Sequence, residues 1–229
     1  MKHLSNLNHQ SLPRIDALGS RLFLLNLYPE LSTVPSAFCP TPTHTEQKRI
    51  RALDVGAGIG RVSADVLLHL VSDVVLVEPV MIREALEHAR ASALDTTTTP
   101  RISWPGLADQ SKSVTFLQDT LQQFQPLAPH SSQFHDRIGY QPPCATDDIG
   151  KGFDVIWCQW CLGYVTNPDL VAFLRRCHEA LNKHPRSLIV VKENVCRNAL
   201  DGSAVEIFAK EDSSLTRFAW PSFFDESFW

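Results

Sequence analysis

The sequence predicts an α/β protein built on a doubly wound, mostly parallel sheet with helices on both faces. Two observations support this fold class. Short apolar segments typical of buried strands, such as residues 53–55 and 74–77, alternate with longer segments whose apolar residues recur at helical spacing. The first strand also runs directly into a glycine-rich turn and a helix, which is how a parallel sheet connects its strands. We therefore expect one domain over residues 1–229, with its core at about 50–217.

The individual elements follow from hydrophobic spacing. Ile15, Leu18 and Leu22 predict one face of an N-terminal helix, and Asp16 could cap its first turn. Segments rich in proline and polar residues at about 95–113 and 126–152 are expected to be flexible inserts. In chain order, the pattern predicts a helix at about 14–28, a strand at 53–55, a helix through 62–70, a strand at 74–77, a helix at 79–93, strands at 114–117 and 153–158, a helix from 167 to 181 and a strand at 188–191.

Composition excludes several functional classes. Of 229 residues, 44 % are apolar and 20 % are charged, which is ordinary for a soluble protein. The formal net charge of −4 argues against a general nucleic-acid-binding surface, which would need clustered positive charge. No apolar run approaches the roughly 18 to 20 residues that a membrane helix needs, and residues 1–10 do not resemble a signal peptide. We expect a cytoplasmic or nuclear protein, with no prediction of its oligomeric state.

Cysteine and histidine spacing predicts no metal site. The six cysteines have no disulfide-framework spacing, and Cys158 and Cys161 form a lone Cys-x-x-Cys pair. A structural zinc site would normally require a second such pair or histidines at ligand spacing. Buried free thiols are the favoured interpretation.

The turn at residues 56–60 is predicted to form half of a nucleoside-cofactor site. Gly56, Gly58 and Gly60 occupy alternate positions between a strand and a helix, so a ligand can approach the bare backbone. About twenty residues after the turn, the second strand ends at Glu78. A carboxylate at that position can accept hydrogen bonds from ribose hydroxyls.

The spacing of the turn favours S-adenosyl-L-methionine over a dinucleotide. Dinucleotide-binding proteins usually carry G-x-G-x-x-G, but here the third glycine comes one residue early and Asp54 precedes the first. A carboxylate there would repel a diphosphate and would suit the cationic amino-acid end of S-adenosyl-L-methionine. The D-x-G-x-G-x-G form resembles motif I of class I methyltransferases. A nicotinamide or flavin site and an ordinary glycine-rich turn remain as alternatives.

Several stretches together resemble the eukaryotic protein N-terminal methyltransferases, which methylate the α-amino group of proteins beginning X-Pro-Lys. The segment from Trp157 to Trp160, with Gln159 between them, is the most specific of these. The resemblance implies a Rossmann-like class I methyltransferase fold with S-adenosyl-L-methionine as cofactor and protein N-termini as partners. It rests on residues 14–16, 20–21, 53–61, 154–160, 173–177, 191–194 and 212–214.

The resemblance also implies roles for individual residues. Asp212 would accept a proton from the substrate amine, beside Tyr164, which stands where the family often has histidine. Trp160 would pack against the substrate's first residues, Asn194 would bond its backbone, and Ser214 would lie near the amine. The implied cofactor-binding residues, together with the glycine turn, are Gly56, Gly58, Arg61, Glu78, Pro79, Val80, Leu121, Gln122 and Gln159.

The similarity ends after Arg217. We therefore expect the last helix and the C-terminal antiparallel strands of the family to be missing. The family's segment before the first helix is also expected to be missing, so that the chain is truncated at both ends. Two alternatives to protein N-terminal methylation remain. One is a small-molecule class I methyltransferase, and the other is an inactive methyltransferase-like binding protein.

Overall fold

A seven-stranded sheet forms the centre of the computed structural model, which describes residues 5–32, 34, 48–94, 103–143, 148–195 and 214–221. The helices of this part of the chain are α1 (Ser5–Leu27), α2 (Arg61–Asp65), α3 (Ile82–Ala93) and α4 (Asn167–Glu179). The strands are β1 (Arg51–Val55), β2 (Asp73–Val77), β3 (Ser113–Gln118), β4 (Gln133–Gly139), β5 (Val155–Gln159), β6 (Leu188–Val195) and β7 (Ser214–Pro221).

The strand order brings the carboxyl ends of neighbouring parallel strands together at one edge of the sheet. The order is β4-β3-β2-β1-β5-β6-β7, and only the two outermost strands run antiparallel to their neighbours. Val55, at the end of β1, is opposite Val77 of β2 on one side and Cys158 of β5 on the other. The winding direction reverses between β1 and β5, and ligands of open α/β sheets bind beyond the carboxyl ends of the strands at such a point.

Side chains that alternate along each strand pack into two cores, one on each face of the sheet. Ala52 and Trp157 join the core under α1, α2 and α3, whereas Leu53 and Cys158 join the core under α4. The doubly wound sheet with helices on both faces is thereby confirmed. Trp157 therefore points into the core on the face opposite Cys158.

The N-terminal helix exists, but its buried face differs from the predicted one. Ile15 is 65 % exposed and Leu18 is 55 % exposed, whereas Ala17, Ser20 and Leu24 face the core. The helix begins at Ser5, so Asp16 lies in its interior and is not a cap. The leucine spacing indicated a helix correctly. The face that docks, however, is the one that carries Ala17, Ser20 and Leu24.

The prediction of a flexible insert at 126–152 is wrong for the segment that forms β4. This strand pairs antiparallel with β3, with Val114 opposite Ile138 and Thr115 opposite Arg137. Arg137 also binds Asp148 at 2.6 Å through Nη1, which ties the strand to the chain beyond it. The strand was missed because its side chains are exposed or half-buried, so they lack the apolar alternation of a buried strand.

The expectation that the C-terminal antiparallel strands are missing is wrong for one strand. β7 pairs antiparallel with β6 from Leu188 opposite Pro221 to Val195 opposite Ser214. The far edge of β6 is therefore covered along its whole length. The backbone hydrogen bonds that β6 offers on that side explain the pairing better than any hydrophobic pattern in residues 214–221 does.

Candidate active site

A cavity of about 270 Å³ opens beyond the carboxyl ends of β1 and β5. It brings together five residues predicted from the sequence to bind cofactor or substrate: Gly56, Gly58, Arg61, Gln159 and Trp160. Two segments distant in sequence, the glycine turn and the end of β5, thus form one hollow. The remaining lining residues are Asp54, Ala57, Ile59 and Val62.

The glycine turn depends on backbone angles that favour glycine. Gly56, Gly58 and Gly60 have φ values of +62°, +56° and +82°. At Gly56 a Cβ atom would lie 2.4 Å from the Cβ of Cys161, which is too close for two carbon atoms. The turn can therefore pack against the loop after β5 only because this residue is glycine. At Gly58 a Cβ would meet nothing within 4 Å, which leaves open space over this part of the turn. A ligand can therefore lie against the chain at Gly58.

Glu78 holds the glycine turn in place from the end of β2. Its buried carboxylate accepts the Gly58 N–H on Oε2 at 2.9 Å. Its Oε1 accepts the N–H groups of Val80 at 2.9 Å and Met81 at 3.2 Å. A carboxylate has about four lone-pair sites. The three backbone donors occupy three of these sites and leave one on Oε2. One ribose hydroxyl could therefore make the predicted contact with Glu78 while the three backbone hydrogen bonds stay in place.

Gln159 has a side-chain orientation set by its neighbours. The indole N–H of Trp157 donates to Oε1 at 3.1 Å. Because an indole nitrogen is only a donor, Oε1 must be the atom that faces it. The amide nitrogen then points toward Oδ2 of Asp16 on α1, 3.5 Å away. Trp157 itself is fully buried, so one end of the amide is fixed.

Trp160 has a strained backbone at the rim of the cavity. Its φ of +56° is uncommon for a residue other than glycine. Its N–H donates to the Lys192 carbonyl at 3.0 Å, and Glu193 Oε1 accepts the next two backbone N–H groups at 2.8 and 2.9 Å. The ring is 40 % exposed, and the Arg61 guanidinium lies 5.3 Å from its centre. The end of β6 thus determines where this aromatic surface is presented.

Leu121 and Gln122 lie apart from the lining of the cavity. Leu121 is buried under α4 and Gln122 is exposed, in the turn after β3. Arg176 Nη2 donates to both of their carbonyls, at 2.8 and 3.1 Å. This arginine on α4 therefore fixes the turn, and the cofactor roles of its two residues stay predictions.

Three further predicted residues are also outside the cavity lining. Pro79 is half-buried and Val80 is 79 % exposed, and both follow Glu78 directly. Tyr164 is 85 % exposed at the end of a short 3₁₀ helix, Leu162–Tyr164. A side chain this exposed can contact a bound peptide but is not held in place by packing.

The positions on β6 and β7 that are predicted to bind substrate lie at the same edge of the sheet as the cavity. Lys192 is in register with Gln159, and Asn194 follows two residues later. Asn194 is in register with Leu215, next to Ser214. The backbone register therefore places both near the end of β5, whereas Asp212 lies outside the described residues.

Asp54 is a buried acid in the cavity wall. Its side chain is nearly inaccessible to water and accepts the Ser63 hydroxyl at 2.7 Å. Burial raises the pKa of Asp54 to about 7, the Ser63 hydrogen bonds oppose the shift, and the charge of Glu78 adds to it. Near neutral pH this carboxyl group is poised between its neutral and charged forms.

The stability of the protein should depend on the protonation of Asp54. With a folded pKa of about 7 against an ordinary value of 3.8, the folded chain holds a proton that the unfolded chain has released. Stability from this group is thus greatest in acid and falls as the pH rises from about 4 to about 7. The free energy of unfolding of Asp54→Asn, measured by urea denaturation, should rise relative to that of the parent as the pH increases across this range. Above about pH 7 the difference between the two proteins should stay constant. A constant difference at every pH would contradict the assignment.

The described cysteines are buried thiols. Cys158, Cys161 and Cys177 are free, and burial raises the pKa of Cys177 well above its usual range. Within the described ranges, no cluster of three or more histidine, cysteine or acidic side chains could hold a metal ion. None of the helices in that part of the chain is both long and apolar enough to cross a membrane.

Sequence reasoning missed two residues that shape this site, Asp16 and Lys192. Lys192 is completely buried, and its ammonium forms an ion pair with Asp16. A lysine directly after the apolar run 188–191 was the available signal, since a buried cation needs a partner. Nothing in the local sequence, however, identifies a partner 176 residues away.

Comparison with known proteins gives a consistent set of relatives. The family model for AdoMet-dependent proline di-methyltransferases matches residues 6–223. The chain is 31 % identical to alpha N-terminal protein methyltransferase 1 of Schizosaccharomyces pombe over 214 residues, covering 93 % of this chain and 70 % of that protein. It is 29 % identical to the protein of the same name from Arabidopsis thaliana, covering 88 % and 55 %. It is 34 % identical to N-terminal Xaa-Pro-Lys N-methyltransferase 1 of Danio rerio, covering 81 % and 60 %. The chain thus spans only 55 to 70 % of these relatives' lengths.

Proposed function

The chain belongs to the AdoMet-dependent proline di-methyltransferase family, and from this premise we propose that it methylates the α-amino group of protein N-termini beginning X-Pro-Lys, with S-adenosyl-L-methionine as methyl donor. One observation carries the proposal. The glycine turn and the Gln159–Trp160 segment, one general to nucleoside cofactors and the other specific to this family, border the same cavity. Relatives whose names state this activity support the substrate class.

The residues at the cavity fit a positively charged nucleoside. Gly58 leaves its backbone open, and Glu78 supplies a carboxylate behind the turn. Asp54, with its pKa raised by burial to about 7, is charged in part of the molecules at neutral pH. Gln159 adds a fixed amide, with the oxygen occupied by Trp157. These four residues would hold the cofactor, which supplies a methyl group bonded to a cationic sulfur. A diphosphate would meet one acid in the lining, Asp54, with Glu78 behind the glycine turn, and Arg61 is the single lysine or arginine among the lining residues.

The proposed reaction requires little general acid–base catalysis from the protein. The amine must present a lone pair to the methyl carbon, so it has to be neutral at that moment. An α-amino group has a pKa near 8, so a sizeable fraction is neutral at physiological pH, whereas a lysine side chain near 10.4 is almost entirely charged. A single carboxylate that accepts the released proton is then sufficient, and we assign that role to Asp212.

Trp160 is the proposed packing surface for the substrate's first residues. Its half-exposed ring lies at the rim of the cavity, at a backbone angle held by Lys192 and Glu193. The face of an indole ring attracts a cationic methylated amine. Tyr164, four residues later and exposed, can extend this aromatic surface.

Labelled S-adenosyl-L-methionine and three peptides test the proposal. The peptides begin Ser-Pro-Lys, Ser-Pro-Gln and acetyl-Ser-Pro-Lys, and the acetyl group removes the proposed acceptor while leaving the rest unchanged. Label is expected on the first peptide only. Equal label on the acetylated peptide would move the acceptor away from the α-amino group and contradict the proposal. Label on none, with cofactor binding seen by calorimetry, would instead identify a binding protein.

A further inference from the structure

Helix α1 docks beside the cavity through a buried ion pair as well as through apolar residues such as Ala17 and Leu24. Lys192 on β6 is completely buried, and its ammonium pairs with Asp16 and also donates a hydrogen bond to the Ser20 hydroxyl oxygen at 3.1 Å. The apolar residues on the outer side of the same helix, Ile15 and Leu18, remain more than half exposed. Asp16 and Ser20 are four residues apart and so share one face of the helix.

Lys192 also contacts the substrate side of the site. Its carbonyl accepts the Trp160 N–H at 3.0 Å, and its ammonium lies 5.8 Å from the centre of the Trp160 ring. The side chain and the backbone of this lysine therefore meet the same tryptophan. Lys192 thus adjoins the rim of the cavity through both its backbone and its side chain.

Asp16 reaches the cofactor side of the site with its other oxygen. One carboxylate oxygen pairs with Lys192, and Oδ2 lies 3.5 Å from the amide nitrogen of Gln159. The opposite end of that amide accepts from Trp157. Asp16 thus supplies the second of the two contacts that hold the Gln159 amide in its orientation.

An ion pair at this depth has a function other than net stability. Removing two charges from water costs about as much as their attraction returns, so replacing a buried pair by apolar residues is often neutral or stabilising. What the pair provides is a defined arrangement of the groups around it. Here those groups are Gln159 and Trp160, both in the cavity lining.

We infer that Asp16 and Lys192 are positioning residues, which lock α1 onto the cavity wall and thereby set the Gln159 amide that the bound adenosine-bearing cofactor meets. The inference rests on the proposed cofactor and goes beyond it. Cofactor affinity should depend on this pair even though neither residue lines the cavity.

The test uses two variants and S-adenosylhomocysteine as the probe. The double variant Asp16→Leu with Lys192→Met removes both charges together, so neither is left buried without the other, and it should fold with near-parental thermal stability. The control, Arg21→Met, removes another contact of α1, in which Arg21 Nε donates to the Asp65 carbonyl at 2.6 Å. Both variants loosen the helix, but only the first one alters a group that contacts Gln159.

Dissociation constants are measured by calorimetry well below the melting temperatures. We expect the double variant to bind about tenfold more weakly than the parent, within the usual range for coupling between neighbouring sites, and the control to stay within about twofold. Parental affinity in the double variant, or an equal loss in the control, would overturn the inference. A parent chain that does not bind S-adenosylhomocysteine would overturn the proposed cofactor instead.

Discussion

Replacement of Gly60 by alanine is expected to lower the free energy of unfolding by about 3 to 5 kcal/mol, from a steric clash added to backbone strain. The φ of Gly60 is +82°, and a Cβ there would lie 2.3 Å from a ring carbon of Trp104. That indole is buried and nearly inaccessible, so it has no room to retreat. Urea denaturation followed by circular dichroism measures the loss.

Gly58→Ala is the matched control for this prediction. Its φ of +56° imposes similar backbone strain, but the new Cβ would meet nothing within 4 Å. The expected loss is therefore only about 1 to 2 kcal/mol, from strain alone. Equal losses in the two variants would show that close packing against Trp104 does not constrain the turn.

Replacement of Glu78 by alanine is expected to weaken S-adenosylhomocysteine binding by about 100-fold or more, since hydrogen bonds to a charged group contribute about 1.5 to 3 kcal/mol each. The Gly58, Val80 and Met81 amides would all lose their acceptor. The glycine turn would then lose its attachment to β2 as well as the proposed ribose contact. Calorimetry measures the affinity, and thermal melting measures the accompanying loss of stability.

Glu87→Ala controls for the loss of one negative charge. Glu87 lies on the exposed side of α3, a short distance along the chain from Glu78. Its removal should leave both affinity and melting temperature close to those of the parent, since exposed charges contribute little. Parental affinity in Glu78→Ala would refute the role of this carboxylate in the cofactor site.

The sequence was most informative where local chemistry dictates local structure. The glycines at alternate positions predicted a turn that requires positive φ, and all three glycines have it. Runs such as 74–77 predicted buried strands, because parallel strands covered on both faces are largely apolar. Both patterns arise within about ten residues of chain and need no partner to be recognised.

Other features were hidden because the partner lies far away in sequence. The strand β4 has half-exposed side chains, so its existence is decided by the free edge of β3. The docking face of α1 carries Asp16, the partner of Lys192, beside buried Ala17 and Leu24, although the leucine spacing favoured another face. For Leu121 and Gln122, the position of the turn depends on Arg176 of α4.

The sequence alone thus determined the parallel strands of the sheet, the glycine turn with its acid and the family, because each depends on residue types at short, regular spacing. The tertiary structure decided which side of α1 meets the core, how the Gln159 amide is oriented and which predicted residues share the cavity. These features depend on contacts between buried polar groups, because a polar or charged group that is removed from water needs a partner. The fold supplies that partner, which can lie at any distance along the chain.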